Sequence, residues 1–213
     1  LKNCANTNII RSYLPNVVCP ETESNKSFLA EPWQQDFIFC GTIGDDNERL
    51  QFLRELASAF NGDKQTTRAK INFRFYGAFG ENTIRGVPYY EVLATSQMGL
   101  NYSRRNDVEL YSSDRIAQLT GNGVLTFTPR IPDFEIIYQP DEVIYFNDTQ
   151  DLIEKVNYYK DNPQKSCAIA RAGWEKSHKN YTVEKIATYI ENLVFEKEVP
   201  EYNWANHIHL GTN

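Results

Sequence analysis

The chain has little from which a metal site or a disulfide framework could be built. Its four cysteines are spread over 213 residues without a Cys-x-x-Cys pair, which argues against a zinc ribbon or a disulfide-stapled fold. It also has no apolar run long enough to span a bilayer and no signal peptide. We therefore expect a cytoplasmic protein without a transmembrane segment, with peripheral attachment at the inner face of the membrane as an alternative. Because the sequence begins at Leu1 rather than Met, we expect a piece of a longer protein.

Runs of basic residues are missing as well. The 22 Lys and Arg residues are scattered and outnumbered by 28 Asp and Glu residues, so the net charge is −6. No positive field recruits nucleic acid, and we expect no nucleic-acid partner. The GxSxG, Walker and HExxH motifs are absent too. What remains is a chain with 41% hydrophobic and 13% aromatic residues, a composition typical of a folded globular protein.

Short apolar segments alternate with segments of helical periodicity. Residues 36–41 form an apolar run that ends in glycine, and the next residues repeat leucine at helical spacing. This alternation predicts an α/β fold, a Rossmann-like parallel sheet flanked by helices. The predicted strands are residues 36–41, 71–77, 98–103, 124–128 and 142–146. We assign residues 33–197 to this domain, 1–32 to an N-terminal connector or extension, and 198–213 to a C-terminal tail.

Residues 111–128 carry the most informative pattern. Ser112 and Ser113 open a predicted short helix that bears Arg115 and Gln118 and ends at residues 121–123. The free N–H groups and small hydroxyls at such a helix start suit a phosphate, and the polar residues one turn further can reach a ribose. The segment therefore predicts a nucleotide-sugar pocket.

Two other loops should meet this helix start at the carboxyl edge of the sheet. Gly41 and Thr42 follow the first strand of the domain, and Arg104 and Arg105 follow the third. Glycine lets the backbone approach a phosphate, and arginine neutralises its charge with paired donors. Each loop alone also fits a simple turn with solvated arginines, and it is their joint placement that favours phosphate binding.

Two aromatic and two imidazole side chains have competing interpretations. Tyr89 and Tyr90 suit either base stacking or the core, because both open an amphipathic helix. His207 and His209 would lie on one face of an extended tail, but no third ligand is visible. We expect no metal site.

From about residue 36 to 195 the chain resembles the C-terminal, donor-binding half of a GT-B glycosyltransferase, in the group-1 branch that includes CgeB-like proteins. The matching segments occur in the family's order. They are Phe37-Ile-Phe-Cys-Gly-Thr42, the serine–arginine helix that ends at Gly123 before Val-Leu-Thr, residues 151–163, Ala170-Arg-Ala-Gly-Trp174 and His178-Lys-Asn-Tyr-Thr182.

The resemblance implies that a nucleotide sugar binds between two Rossmann-like domains and gives its sugar to a hydroxyl of a glycan or lipid-linked acceptor. It further implies an acceptor-binding domain in cis or in trans, no metal or other cofactor, and a role in bacterial surface polysaccharide synthesis. One phosphate or two could sit at the helix start, so a CMP donor stays as open as UDP or GDP.

The chain departs from the family at the ribose contact, where Gln118 replaces a glutamate. The acidic residue that retaining members carry near the sugar would be Asp107 or Glu109, both weak candidates, so the catalytic residue stays unassigned. Two alternatives follow: a non-catalytic nucleotide-sugar-binding module with a degenerate site, and a sugar-nucleotide epimerase.

Overall fold

The computed structural model describes residues 10–61, 71–195, 197–198, 202, 204–205 and 209–210. Its centre is a parallel five-stranded sheet, which confirms the predicted fold class. The strands of this sheet are β2 (Gln35–Cys40), β3 (Phe73–Tyr76), β4 (Ser96–Leu100), β5 (Leu125–Pro129) and β6 (Ile144–Phe146), in the order β3-β2-β4-β5-β6. A separate pair, β1 (Ile10–Arg11) and β7 (His209–Leu210), is antiparallel.

Six α-helices flank the sheet in the described part of the chain: α1 (Asn47–Asn61), α2 (Val87–Ala94), α3 (Arg115–Gly121), α4 (Thr149–Asp161), α5 (Pro163–Asn180) and α6 (Val183–Val194). Side chains near the first turn explain where two of these helices begin. The carboxylate of Asp46 accepts the N–H of Arg49 at 3.0 Å ahead of α1, and Pro163 opens α5, where its missing N–H costs nothing. None of the helices in these ranges is long and apolar enough to cross a bilayer.

The two faces of the sheet are covered by different helices because neighbouring side chains of a strand point to opposite sides. Phe37 and Phe39 of β2 join the larger core with α1, α4 and α5. Ile38, between them, packs instead with Leu93 of α2 and Leu119 of α3. The result is a three-layer α/β/α domain.

Described residues on both sides of the predicted domain also contribute to its cores. Val18 is fully buried, donates its N–H to the Tyr181 carbonyl at 2.8 Å and accepts the N–H of Val183 at 3.0 Å. Phe28 belongs to the larger core, and Trp204 is fully buried against Tyr189. The domain limits at 32/33 and 197/198 stay predictions.

The strand order places a crevice at one point of the sheet. From β2 the chain moves to β3 on one side, then crosses to β4 on the other side of β2. The loops that leave β2 and β4 therefore diverge, and in open parallel sheets ligands bind in the gap beyond the carboxyl ends of such strands.

Candidate functional site

A cleft of about 380 Å³ opens at this switch point. The end of β2, the residues before α2 and the start of α3 line it. Six residues predicted from sequence meet there: Gly41, Thr42, Tyr89, Tyr90, Arg115 and Gln118. Residues 41 and 118 are far apart in sequence, so their meeting is a property of the fold.

Arg115 is the buried cation of the cleft, and Arg85, which also lines it, is exposed. The Arg115 side chain is held rigidly, because Nε donates to the Cys40 carbonyl at 2.6 Å, Nη1 donates to Ser113 Oγ at 3.1 Å, and the guanidinium lies 4.9 Å from the centre of the Phe39 ring. Only 8% of the residue is exposed, and burial lowers its pKa.

The second terminal nitrogen of Arg115 lies against Gly41, where an added Cβ would come within 2.4 Å of Nη2. No carboxylate of the described residues lies within 4 Å of this guanidinium. A buried cation without an anionic partner is costly, and a phosphate in the cleft would supply that partner.

The two serines hold Arg115 rather than line the cleft. Helix α3 begins at Arg115, one residue after Asp114, so the prediction that it begins at the serines is wrong. Ser112 Oγ accepts from Asn101 Nδ2 at 2.9 Å, and Ser113 Oγ donates to Asn101 Oδ1 at 3.3 Å. These bonds to Asn101, a buried residue directly after β4, fix the serines and, through Ser113, the guanidinium.

Tyr89 and Gln118 form a second, uncharged wall of the cleft. The Tyr89 hydroxyl donates to Gln118 Oε1 at 2.9 Å, and burial raises the pKa of Tyr89. Tyr89 is 9% exposed and packs with Ile38, so it serves the core as well as the cleft. The Tyr90 hydroxyl donates to Glu23 Oε1 at 3.0 Å. Base stacking by either ring stays a prediction.

Arg49, in the first turn of α1, is a site residue that sequence reasoning missed. It is 5% exposed, donates from Nη2 to the Thr42 carbonyl at 2.8 Å, and lies 5.4 Å from the centre of the same Phe39 ring. Its Nε is buried without a hydrogen-bond partner. Its place in the first turn of a helix, where a cation is disfavoured, gave no usable signal, because Asp46 and Glu48 beside it in sequence supply compensating negative charge.

Arg104 and Arg105 lie in a neighbouring cleft of about 430 Å³, together with Arg49 and Asp107. Arg105 is exposed and holds Asp107 through two hydrogen bonds of 2.8 Å, which lower the pKa of that carboxyl to about 2. Glu109 lines neither cleft. The catalytic assignment of Asp107 or Glu109 stays a prediction.

Among the residues with described side chains, no group of three or more His, Cys, Asp and Glu could hold a metal ion. The histidine pair of the tail cannot be placed, since His207 lies outside the described residues and only the backbone of His209 is described.

Comparison with known proteins identifies the family. A family model described as glycosyl transferase-like matches residues 49–192, which include α3, β5 and the closing helices. The chain belongs to this glycosyl transferase-like family. No curated protein sequence matches it.

Solved structures show the same fold at low sequence identity. An α1,3-fucosyltransferase matches with a TM-score of 0.57 and 11% identity, over 86% of this chain and 54% of that one. A structure of an α1,3-fucosyltransferase with GDP-fucose matches with a TM-score of 0.53 and 10% identity, over 70% of this chain and 40% of that one. The C-terminal domain of a group 1 glycosyl transferase, LpcC from Francisella tularensis, matches with a TM-score of 0.50 and 11% identity, over 78% and 99%.

These matches confirm the predicted resemblance to the C-terminal Rossmann-like domain of GT-B glycosyltransferases. The chain spans about half the length of the fucosyltransferase and nearly all of the LpcC C-terminal domain.

Proposed function

We propose that this chain is the donor-binding half of a glycosyltransferase. It binds a nucleotide sugar in the cleft between β2, α2 and α3, and the sugar passes to a hydroxyl of a glycan or lipid-linked acceptor. The acceptor site belongs to a second domain, in cis or in trans. Synthesis of a bacterial surface polysaccharide is the context we propose for this reaction.

The observation that carries the proposal is the state of Arg115. Its guanidinium is buried, is fixed by three groups of the protein, and lacks a carboxylate partner within 4 Å among the described residues. Gly41 lets Nη2 lie directly against the backbone at the end of β2, because the Cβ of any larger residue would come within 2.4 Å of it. A donor phosphate placed there would accept charge-assisted hydrogen bonds from a preorganised donor.

The remaining cleft residues suit the nucleoside. The Gln118 carbonyl accepts the Tyr89 hydroxyl, which leaves the Gln118 amide nitrogen as a donor toward a ribose hydroxyl. Tyr89 and Tyr90 present rings near the same space for the base. The related fold of the fucosyltransferase, solved with GDP-fucose and with GDP, supports a nucleotide ligand.

The chemistry that this half contributes is stabilisation of the leaving group. When the glycosidic bond to phosphate breaks, negative charge grows on the phosphate oxygen, and a fixed, buried guanidinium stabilises that charge. We propose that arginine side chains do this work without a bound metal. Asp107 and Glu109 remain weak candidates for the acidic residue beside the sugar.

Calorimetric titration tests the proposal, using UDP, GDP, ADP, TDP and CMP in buffer with a chelator. We expect saturable binding of one nucleotide. In Arg115→Lys the planar fork of donors is lost, so we expect affinity to fall by about tenfold or more. The control is Arg130→Lys, an exposed arginine paired with Glu135 that lines neither cleft. Absence of binding, or equal affinity of Arg115→Lys and wild type when both are folded, would contradict the proposal.

A further inference from the structure

The N-terminal strap, residues 18–28, precedes the predicted donor-binding domain but is bonded to both helices that wall the cleft. Asn25 Nδ2 donates to the Tyr90 carbonyl of α2 at 3.1 Å and to Oδ1 of Asn122, the residue after α3, at 3.0 Å. The Ser27 N–H donates to the Asn122 carbonyl at 3.0 Å. The strap therefore links the first turns of α2 to the end of α3.

Glu23 of the strap is a buried carboxylate without a cation partner. The residue is 7% exposed, and no Lys, Arg or His nitrogen of the described residues lies within 4 Å of its carboxylate. Its Oε2 accepts the Cys19 N–H at 2.7 Å, and its Oε1 accepts the hydroxyl of Tyr90 at 3.0 Å. Burying a charge is costly, and charge-assisted hydrogen bonds offset part of that cost. An uncharged side chain would avoid the cost, which indicates that the carboxylate is there for the strength of these two bonds.

Tyr90 is held by the strap at both ends of the residue. Its hydroxyl donates to Glu23, and its backbone carbonyl accepts from Asn25. Burial and the hydrogen bond to Glu23 raise the pKa of Tyr90 to about 12, so the hydroxyl stays protonated and remains a donor. The Tyr90 ring centre lies 5.6 Å from that of Tyr89, and both residues line the cleft. The position of the Tyr90 ring is therefore set by residues of the strap.

We propose that Glu23 is a positioning residue for the nucleoside of the donor. By holding the Tyr90 hydroxyl, it fixes the ring against which the base packs. Glu23 does not itself line the cleft, so it acts through Tyr90. This inference rests on the proposed nucleotide binding in the same cleft. It extends the donor site to the strap, which lies N-terminal to the predicted domain.

The test compares a nucleotide with its base-free anion on the whole chain carrying Glu23→Gln. Glutamine keeps the size of the side chain but has one acceptor oxygen for two donors, and it lacks the charge. Calorimetry gives the Kd of the nucleotide that wild type binds most tightly. Displacement of that nucleotide gives the Kd of inorganic pyrophosphate for a nucleoside diphosphate, or of orthophosphate for a monophosphate. We expect the nucleotide Kd to rise about three- to tenfold, as the loss of one hydrogen bond permits, and the Kd of the anion to stay within about twofold of wild type.

Tyr90→Phe is the second variant, and it carries the test if Glu23→Gln fails to fold. It removes the hydroxyl from a half-buried ring and should weaken nucleotide binding to a similar extent, again without an effect on the base-free anion. The double variant Glu23→Gln/Tyr90→Phe should lose no more affinity than the weaker-binding single variant, because both substitutions break the same bond. The matched control is Glu21→Gln in the same strap, since Glu21 is exposed and accepts from Cys19 Sγ instead. We expect it to bind like wild type.

Three results would overturn the proposal while nucleotide binding, and with it the proposed function, survives. The first is wild-type nucleotide affinity in folded Glu23→Gln or, where that variant does not fold, in Tyr90→Phe. The second is an equal loss of affinity for the nucleotide and the base-free anion, which would show a general effect on the fold. The third is additive losses in the double variant, which would show that Glu23 does not act through the Tyr90 hydroxyl. If no nucleotide binds to folded wild type, the proposed function fails and this role of Glu23 fails with it.

Discussion

At the level of single residues, the proposed donor binding depends on a guanidinium that the protein holds in place without a carboxylate partner. Arg115 is held by the Cys40 and Tyr102 carbonyls and by Ser113, and all of these partners are uncharged. Gly41 is the complementary feature, because the absence of a side chain at this position lets Nη2 lie against the backbone. The proposed anion binding requires both residues together.

A methyl group at Gly41 should therefore weaken nucleotide binding. In Gly41→Ala the new Cβ would lie 2.4 Å from Arg115 Nη2 and 3.4 Å from Phe39 Cζ, so the guanidinium must move. We expect the nucleotide Kd measured by calorimetry to rise by about tenfold, equivalent to roughly 1.4 kcal/mol. Glu154→Ala is the control, since Glu154 is exposed on α4 and does not line the cleft. Wild-type affinity in Gly41→Ala would contradict this role of Gly41.

At the scale of secondary-structure elements, the position of Arg115 is set by how closely α3 approaches the sheet. Gly99 of β4 forms a notch under α3, because a Cβ at Gly99 would lie 2.5 Å from Leu119 Cδ2 and 3.2 Å from Val124 Cγ1. Leu119 is 1% exposed and fills that notch. The glycine in the middle of a buried strand is thus explained by helix packing.

Filling the notch should destabilise the domain. Gly99→Ala overpacks the contact between β4 and α3, and we expect the free energy of unfolding to fall by about 1–3 kcal/mol in urea denaturation. The second substitution in Gly99→Ala/Leu119→Val removes the clashing atoms and should recover part of that loss. Glu154→Ala, at an exposed position of α4, is the control for an ordinary substitution. Unchanged stability in Gly99→Ala would show that α3 is free to move away.

The elements were largely predictable because each one carries its own local signal. The apolar run from Phe37 to Cys40 correctly predicted β2. The capping residue Asp46 correctly predicted where α1 begins. The start of α3 was predicted two or three residues too early. Serines are common helix caps, but Ser112 and Ser113 bond to Asn101, a partner that a local pattern does not reveal.

At the level of the whole molecule, the fold brings together residues that the sequence predicted only in part. Six predicted residues share one cleft, because loops after parallel strands converge at one edge of a sheet. Arg49 was missed because its importance comes from burial and from the absence of a carboxylate partner within 4 Å in the described ranges. Neither property can be read from the residue's neighbours in sequence.

The chain spans about half the length of the fucosyltransferase that shares its fold. Under the proposed function, the described domain binds the donor, and an acceptor-binding domain, in cis or in trans, completes the site. Nucleotide binding is therefore the part of that function that can be measured on this chain alone.

The most direct test is a ¹H–¹⁵N correlation spectrum of the assigned, labelled chain titrated with its tightest-binding nucleotide. The account predicts that the largest shifts cluster at the amides of Gly41, Thr42, Gly86 and Gln118 and at the Nε–H of Arg115. It also predicts that the amides of α4, which lines no part of the cleft and packs on the opposite face of the sheet from α2 and α3, stay unchanged. Shifts clustered away from the β2–β4 switch point, or no shifts at saturating nucleotide, would contradict donor binding in this cleft.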